Sequence, residues 1–336
     1  MPRELLLTAP RRLELAEYEQ APLADGEVRA EASASGISLG TELALYRGDS
    51  PFRSKRFDLD LRLFVDDASG AFPARLGYEW VGVVREVGAG VTAPRIGERI
   101  HVTLPHRETQ TFAAAGQPWI SLPDGLSDER ATLLQSTAIA LQAVRDAKIA
   151  AGATVAVFGL GAFGLLAVQL AQLEGAGFVA AVDPLAARRE LAVAYGADLA
   201  LDPAASDVGL ELKSSGHAAD VAIEISGRYD ALQQALRCVR VEGLVVAAGF
   251  YVGDASTLRL GEEWLHNRLR MVASMQGWGV PVDRRRLRND ALVLHADRRL
   301  RVDELLTERT AFSSAPEFYA HIAERPAETL RAVLTY

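Results

Sequence analysis

The chain has 336 residues, 49% of them apolar, which is too long for one ordinary core and rich enough to fill two. Its 36 Lys and Arg against 44 Asp and Glu give a formal charge of −8, and no basic run or basic-aromatic stripe suits a nucleic acid. The lone cysteine, Cys238, excludes an intrachain disulfide and a four-thiolate zinc site, and inside a helix it reads as a small buried hydrophobe.

Met1 to Pro10 carries Arg3, Glu4 and only a three-leucine run, which is not a signal peptide pattern. Residues up to about 120 show short alternating runs, such as Glu27–Ala34 and Gly82–Val87, with turns at Gly88–Gly90 and Pro94–Gly97. This is the texture of a strand-rich, barrel-like domain. A long insertion lies between Gly48 and Gly77, with Arg53, Lys55, Arg56 and Arg62 against Asp58, Asp60, Asp66 and Asp67, and Phe52, Phe57 and Phe64 among them. It reads either as a solvated loop or as a lid suited to a polyhydroxylated ligand. After Pro123-Asp124-Gly125 the spacing turns helical, and Ser127 with Arg130 opens a helix.

From Thr154 the pattern alternates strand and helix. Strands are predicted at Thr154–Phe158, Phe178–Val182, Leu199–Leu201, Val221–Ile225, Leu244–Ala248 and Leu269–Ala273, with helices such as Ala162–Glu174 and Pro184–Tyr195 between them. Apolar strands alternating with helices imply a doubly wound parallel sheet, an α/β fold. The most apolar stretch, Thr154 to Leu173, has central glycines and reads as strand, turn and helix rather than a membrane span. A soluble, cytoplasmic protein is therefore expected. A helix with a basic first turn (Arg284 to His295), another at Ala315–Glu324 and a short strand at Leu330–Tyr336 follow, and this tail returns to the first domain. The expected division is 1–122 with 278–336, and 123–277.

Gly159-Leu160-Gly161-Ala162-Phe163-Gly164 follows a strand and opens a helix. The first glycine allows a tight turn, the second lets backbone approach a pyrophosphate, and the third lets helix and strand pack closely. The helix N-terminus then offers free N–H groups to the phosphates. Asp183 ends the next strand, 183 − 164 = 19 residues on, at the position of the acid that binds the adenosine ribose. The other reading is a glycine-rich turn with Asp183 capping a helix at Pro184. A carboxylate there accepts from a 2′-hydroxyl and repels a 2′-phosphate, so the expected cofactor is NAD. Arg188 and Arg189 either flank the adenine or belong to the helix surface. Ser226-Gly227 and Gly249-Phe250, at carboxyl ends of later strands, are expected at the nicotinamide.

The order of parts, with Gly97-Glu98-Arg99-Ile100 and Leu122-Pro123-Asp124-Gly125 ahead of the Rossmann unit, resembles the medium-chain dehydrogenase/reductase superfamily over essentially the whole chain. Within it, Thr8-Ala9-Pro10-Arg11, Gly40-Thr41-Glu42, Val144-Arg145-Asp146-Ala147, Val182-Asp183-Pro184, Asp230-Ala231-Leu232-Gln233 and Ser314-Ala315-Pro316-Glu317 are similar to the sugar and glycoside 3-dehydrogenases. The resemblance implies a GroES-like catalytic domain beside the Rossmann domain. Zinc-using members place ligands at positions that match Ser38 or Leu39, Tyr78 and Gln135 here, none of which belongs to the usual zinc set. The resemblance thus implies a metal-free enzyme in which a side chain handles the alcohol proton.

Tyr78, Glu79 and Thr41 are the catalytic candidates that this mapping provides. Tyr78 bonds the substrate oxygen or packs beneath the cofactor. Glu79 is a base, orients the base or pairs with an arginine, and Thr41 is a relay hydroxyl or a turn residue. His106, Gln135 and Ser38 are candidates for substrate contact, whereas His101 reads as a strand residue. The substrate carbinol is expected between the nicotinamide and the Tyr78-Glu79 turn. The function expected is NAD-dependent, zinc-independent oxidation of a secondary alcohol of a sugar, glycoside or polyol-like molecule. Quinone or enoyl reduction, and dinucleotide binding without turnover, are the competing readings. The apolar strand Leu269–Ala273, placed at a sheet edge, predicts a homodimer or homotetramer.

Overall fold

The computed structural model describes residues 1–336 apart from 68–71, 116–118, 278–279 and 281. It divides into two compact units, Met1–Ala138 with Asp283–Tyr336, and Ile139–Val282. The sequence places the first boundary at 122; the structure places it at 138, inside the helix Leu134–Asp146. The intervening stretch is tied to the first unit: the N–H groups of Gln135 and Ser136 donate to Glu79 at 3.0 and 2.6 Å, and Thr137 Oγ1 meets His295 Nε2 at 2.8 Å. The second boundary lies between Val282 and Asp283, whereas the expected return at 278 lies outside the described residues.

The Ile139–Val282 unit is a six-stranded, wholly parallel sheet. Its strands lie in the order Leu199–Leu201, Phe178–Val182, Thr154–Phe158, Ala219–Glu224, Val239–Ala247, Arg270–Ala273. The central strands are continuous apolar runs because helices cover both faces. Ala156, Phe158, Ala180, Val182, Ala222 and Val245 pack against Leu232, Ala235, Leu236 and Cys238 of the helix Tyr229–Cys238. The Cys238 thiol is fully buried, and burial pushes it up to about 12, which keeps it an inert hydrophobe. The strand read at Leu244 begins at Val239, whose first residue pairs with Ala219 ahead of a register shift. Arg270–Ala273 pairs only with Val239–Ala247 among the described residues, and it leaves Met271 and Val272 exposed.

The other unit is organised by one eleven-residue strand, Glu27–Ile37. Trp80–Val87 pairs along it from Val28 to Ser35, while Thr109–Ala113 pairs with Glu27–Glu31 and Arg331–Thr335 with Ala34–Ile37. The tail therefore does return to this unit, with Leu306–Ala311 and Arg331–Thr335 joined in parallel through the helix Ala315–Glu324. One core gathers Val28, Ala30, Trp80, Val84, Ile100 and Val102; a second gathers Leu5, Leu7, Ile37, Leu43, Leu76, Phe312 and Tyr319.

The insertion after Gly48 carries its own structure. A turn at Pro51–Arg53 leads into a hairpin, Lys55–Asp58 with Leu63–Asp66. Phe57 and Phe64 meet edge-on at 5.2 Å, Phe52 lies 5.5 Å from Phe64, and the Arg62 guanidinium stands 5.3 Å above the Phe57 ring. Residues 68–71 of that insertion lie outside the described residues. Among the described residues no helix is long and apolar enough to cross a membrane.

Candidate active site

In the Rossmann unit the fingerprint glycines occupy places that admit no side chain. Gly159 has φ +88°, and a Cβ on it would press into Ser226 at 2.5 Å. A Cβ on Gly164 would stand 1.8 Å from the Gly159 carbonyl oxygen, so the helix packs against the loop only because that residue is glycine. Gly161 caps the helix Ala162–Leu173 without a side-chain acceptor, which leaves N–H groups at its start for an anion. This cradle fits a dinucleotide pyrophosphate.

Asp183 is buried at the end of its strand. One carboxylate oxygen accepts from Leu160 N at 2.7 Å, the other from Leu185 N at 2.9 Å. It thus ties the glycine loop to the second strand and also caps the following turn. Arg188 Nη1 stands 3.9 Å from the same carboxylate, and burial lowers its guanidinium pKa. Arg189 bridges the Asp183 carbonyl at 2.8 Å and Asp202 at 3.2 Å, a structural role. Ser226 and Gly227 sit on the buried Glu224 carboxylate, which accepts from Ser226 N at 2.7 Å, Gly227 N at 3.3 Å, the Ser226 hydroxyl and the Tyr251 hydroxyl. Burial raises Glu224 above the usual carboxylate range despite those donors. Gly249, before Phe250, lies where a Cβ would stand 2.1 Å from Gly227 N, so the two expected nicotinamide segments do adjoin.

In the other unit, Glu79 is fully buried at the start of the strand Trp80–Val87 and takes five donors. Its Oε2 accepts from His101 Nε2 at 2.9 Å and Gln135 N at 3.0 Å. Its Oε1 accepts from Ser136 N and Ser136 Oγ, both at 2.6 Å, and lies 3.2 Å from Arg331 Nη2. Burial alone would push this carboxyl up, but His101, Arg331 and Ser136 together hold it below its usual range. A carboxylate with its lone pairs so occupied is not a free base. Of the readings of Glu79, the structure holds the ion pair with an arginine, Arg331, and its occupancy disfavours the role of proton acceptor.

His101, read from sequence as a plain strand residue, is the partner that reading missed. Burial lowers its pKa against the pull of Glu79, so the ring is neutral; Nε2–H donates to the carboxylate, and Nδ1 is a bare acceptor without a partner. Arg331 was missed too. Its Nη2 donates to the Thr132 carbonyl at 2.7 Å, and it passes Gly36 so closely that a Cβ there would lie 2.4 Å from it. A histidine and an arginine beside apolar residues in mostly buried strands were the available signals.

Tyr78 precedes Glu79 and remains partly exposed. Burial pushes its phenol well above the usual range, with Arg331 and the neighbouring Ser38 hydroxyl pulling down. The Ser38 Oγ is buried beside that phenol, while Ser38 N donates to Glu42 at 2.7 Å. Ser38, Tyr78, Glu79 and Gln135 therefore gather in one cluster. Thr41 is the half-buried first residue of the helix Thr41–Arg47, with no bond to that cluster.

His106 does not join them. Its Nε2 meets Glu42 at 2.9 Å and its Nδ1 meets Ser35 Oγ at 2.7 Å, both inside the unit. Tyr319 also bonds Glu42, and Tyr336 bonds Ser35 at 2.8 Å. Gly77, at φ +104°, gives His106 its space, since a Cβ would lie 2.9 Å from the ring. With both nitrogens engaged inside the unit, His106 fits a structural role better than substrate contact.

Serine, tyrosine and glutamine at the three positions do not make a zinc site. Among the described residues no three His, Cys, Asp or Glu side chains gather as metal ligands.

A family model described as zinc-binding dehydrogenase matches residues 162–284. D-guloside 3-dehydrogenase of Escherichia coli K12 is 31% identical over 349 aligned positions, covering 99% of this chain and 100% of that protein. Among solved structures, an alcohol dehydrogenase from Escherichia coli CFT073 complexed with NADH superposes with a TM-score of 0.83 at 19% identity, covering 100% of this chain and 99% of that one. A zinc-binding dehydrogenase from Sinorhizobium meliloti 1021 bound to NADP gives 0.81 at 23%, with 100% and 99% covered.

The Glu79 cluster has a measurable consequence. A carboxyl held below its ordinary value of 4.5 contributes stability that is full above that value and is lost as pH falls through the depressed one. Glu79→Gln should cost about 3–5 kcal/mol near neutrality, because it leaves Arg331 unpaired. It should also flatten the acid side of the stability curve. Denaturant titrations at pH 7 and below 4.5 check this, and parallel acid limbs for both proteins would contradict it.

Proposed function

Because this chain belongs to the medium-chain dehydrogenase/reductase superfamily and its zinc-binding dehydrogenase family, we propose that it is an NAD-dependent dehydrogenase that works without zinc. It oxidises a secondary alcohol of a sugar, glycoside or polyol-like molecule to the ketone. The observation that carries this reading is the donor set at the metal positions, Ser38, Tyr78 and Gln135, gathered around an intact Glu79–Arg331 pair. The similarity to a D-guloside 3-dehydrogenase supports a polyhydroxylated substrate.

NAD, when bound at the glycine cradle and Asp183, supplies the hydride acceptor. The protein must then manage the hydroxyl proton. Tyr78 keeps its own proton at neutral pH, because burial raises the phenol. It is therefore a donor to the carbonyl oxygen in ketone reduction, and it accepts a proton in oxidation only once ionised. Glu79 acts through others, fixing the His101 tautomer and the turn that carries Tyr78. His101 Nδ1, buried and unpartnered, suits a substrate hydroxyl, and Ser38 Oγ lies beside the Tyr78 phenol.

The direct experiment is reduction of NAD at 340 nm over a panel of sugars, glycosides and polyols, with and without prior chelation. Turnover that survives chelation is expected. Loss of activity with release of stoichiometric zinc would refute the metal-free reading, and absence of turnover across the panel would leave a dinucleotide-binding protein.

Tyr78→Phe should lower kcat at least roughly tenfold while leaving the NAD dissociation constant nearly unchanged. Alcohol oxidation by the parent enzyme should climb with pH beyond neutrality, and the variant should lose that climb. A variant with the parent's rate and profile would move the proton acceptor to His101.

NAD should bind more tightly than NADP, since Asp183 keeps lone pairs for a ribose hydroxyl beside its two backbone donors. Arg188 moderates the preference. Calorimetric titration of both cofactors should show the gap narrowing in Asp183→Ala, and equal affinities in the parent would overturn the assignment.

The exposed edge Arg270–Ala273 suits pairing with a second copy, giving a homodimer or a multiple of it. Light scattering at micromolar concentration should give at least twice the chain mass; a monomer would rule the pairing out.

A further inference from the structure

The helix Arg284–Ala296 starts against its own field. Arg284, Arg285 and Arg286 fill its first turn, where free N–H groups already present positive charge, and Asp283 caps it by accepting from Arg286 N at 2.9 Å. Further along, Arg288 turns inward. It is 1% exposed, and none of Nε, Nη1 and Nη2 has a hydrogen-bond partner. Its field is unbalanced: Glu79 attracts it, while Arg284 and Arg285 repel it. Glu79 offers it little, since that carboxylate already holds His101, Arg331, Ser136 and the Gln135 N–H. Two buried guanidinium groups thus share one saturated carboxylate. Burial brings Arg288 down only to about 10, so the charge persists at neutral pH. A buried fork of five donors with nothing to bind is costly unless an anion arrives.

We infer that Arg288 is the seat for an anionic substituent of the substrate, a carboxylate or a phosphate, so that the preferred alcohol is an acidic sugar derivative rather than a neutral one. The guanidinium fork matches the two oxygens of either group. Arg284 and Arg285 add long-range attraction. His101, whose bare Nδ1 lies in the field of Arg288, accepts from a hydroxyl of the same molecule. This inference rests on the dehydrogenase reading and narrows its substrate.

The test compares kcat/KM for matched pairs in the parent and in Arg288→Met. The pairs are aldonates with alditols, uronates with neutral glycosides, and sugar phosphates with free sugars, so that the first two arms read carboxylate and the third phosphate. The parent should favour one class of acid over its neutral match by about tenfold or more, and the variant should lose most of that ratio. Arg288→Lys, which keeps the charge without the fork, should fall between. A parent that prefers neutral substrates, or a ratio unchanged in Arg288→Met, would overturn the inference. So would a variant whose only defect is weaker NAD binding, which would assign Arg288 to the cofactor. If no alcohol turns over, the dehydrogenase reading fails, and melting curves with gluconate and inorganic phosphate decide the anion seat separately. Either anion should raise the parent's Tm and not that of Arg288→Met; no shift in the parent overturns the proposal. In anion-free buffer Arg288→Met should melt no lower than the parent, since it removes an unpaired buried charge and breaks no bond.

Discussion

The first unit depends on one buried carboxylate. Glu79 is fully enclosed, and an isolated ion at that depth would be expelled or neutralised. It remains because donors from three separate stretches converge on it: His101 from the strand Arg99–Val102, the N–H groups of Gln135 and Ser136, and Arg331 from the C-terminal strand. Each donor adds a charged tie to a piece of chain that sheet pairing and apolar contact also hold. Removing one partner would leave the others unpaired, so the cluster behaves as a unit rather than as a sum of bonds. Tyr78 and Ser38 inherit their placement from it.

The Rossmann unit is held by a different kind of constraint. Its critical contacts are exclusions of volume, with Gly159, Gly164, Gly227 and Gly249 crowding backbone against backbone. Asp183 then closes the loop with a bond to Leu160 N. One unit is specified by paired charge in a dry interior, the other by the absence of side chains. The substitutions tolerated in the two differ accordingly. A conservative charged exchange is harmful in the first, and a single methyl group is harmful in the second.

These different constraints explain what the sequence revealed. The parallel sheet was legible because its strands are apolar runs, and its elements fall within a few residues of the positions read from periodicity. The glycine spacing and Asp183 were legible because the motif is local. The Glu79 cluster was only half legible. Tyr78 and Glu79 stood out by position in a family pattern, but His101 and Arg331 lie at separations of 22 and 252 residues from Glu79 (101 − 79 and 331 − 79), and nothing local announces the pairing. His106 misled for the reverse reason. A histidine beside a proline in a polar loop looks available, yet Glu42 and Ser35 consume both of its nitrogens. Arg288 carried a signal in the basic turn that precedes it, but not the information that it alone of those arginines points inward.

The last strand has a temporal consequence. Residues 331–336 supply Arg331 to Glu79, four register pairs to Glu27–Ile37, and the Tyr336 hydroxyl to Ser35. The Ile139–Val282 unit is contiguous and holds all its own strands, so it can close while the ribosome is still at work. The other unit cannot. Its carboxylate must wait, already surrounded by the N-terminal strands, until the arginine emerges some 250 residues later. Synthesis order therefore lets the Ile139–Val282 unit fold before the unit built around Glu79 can close.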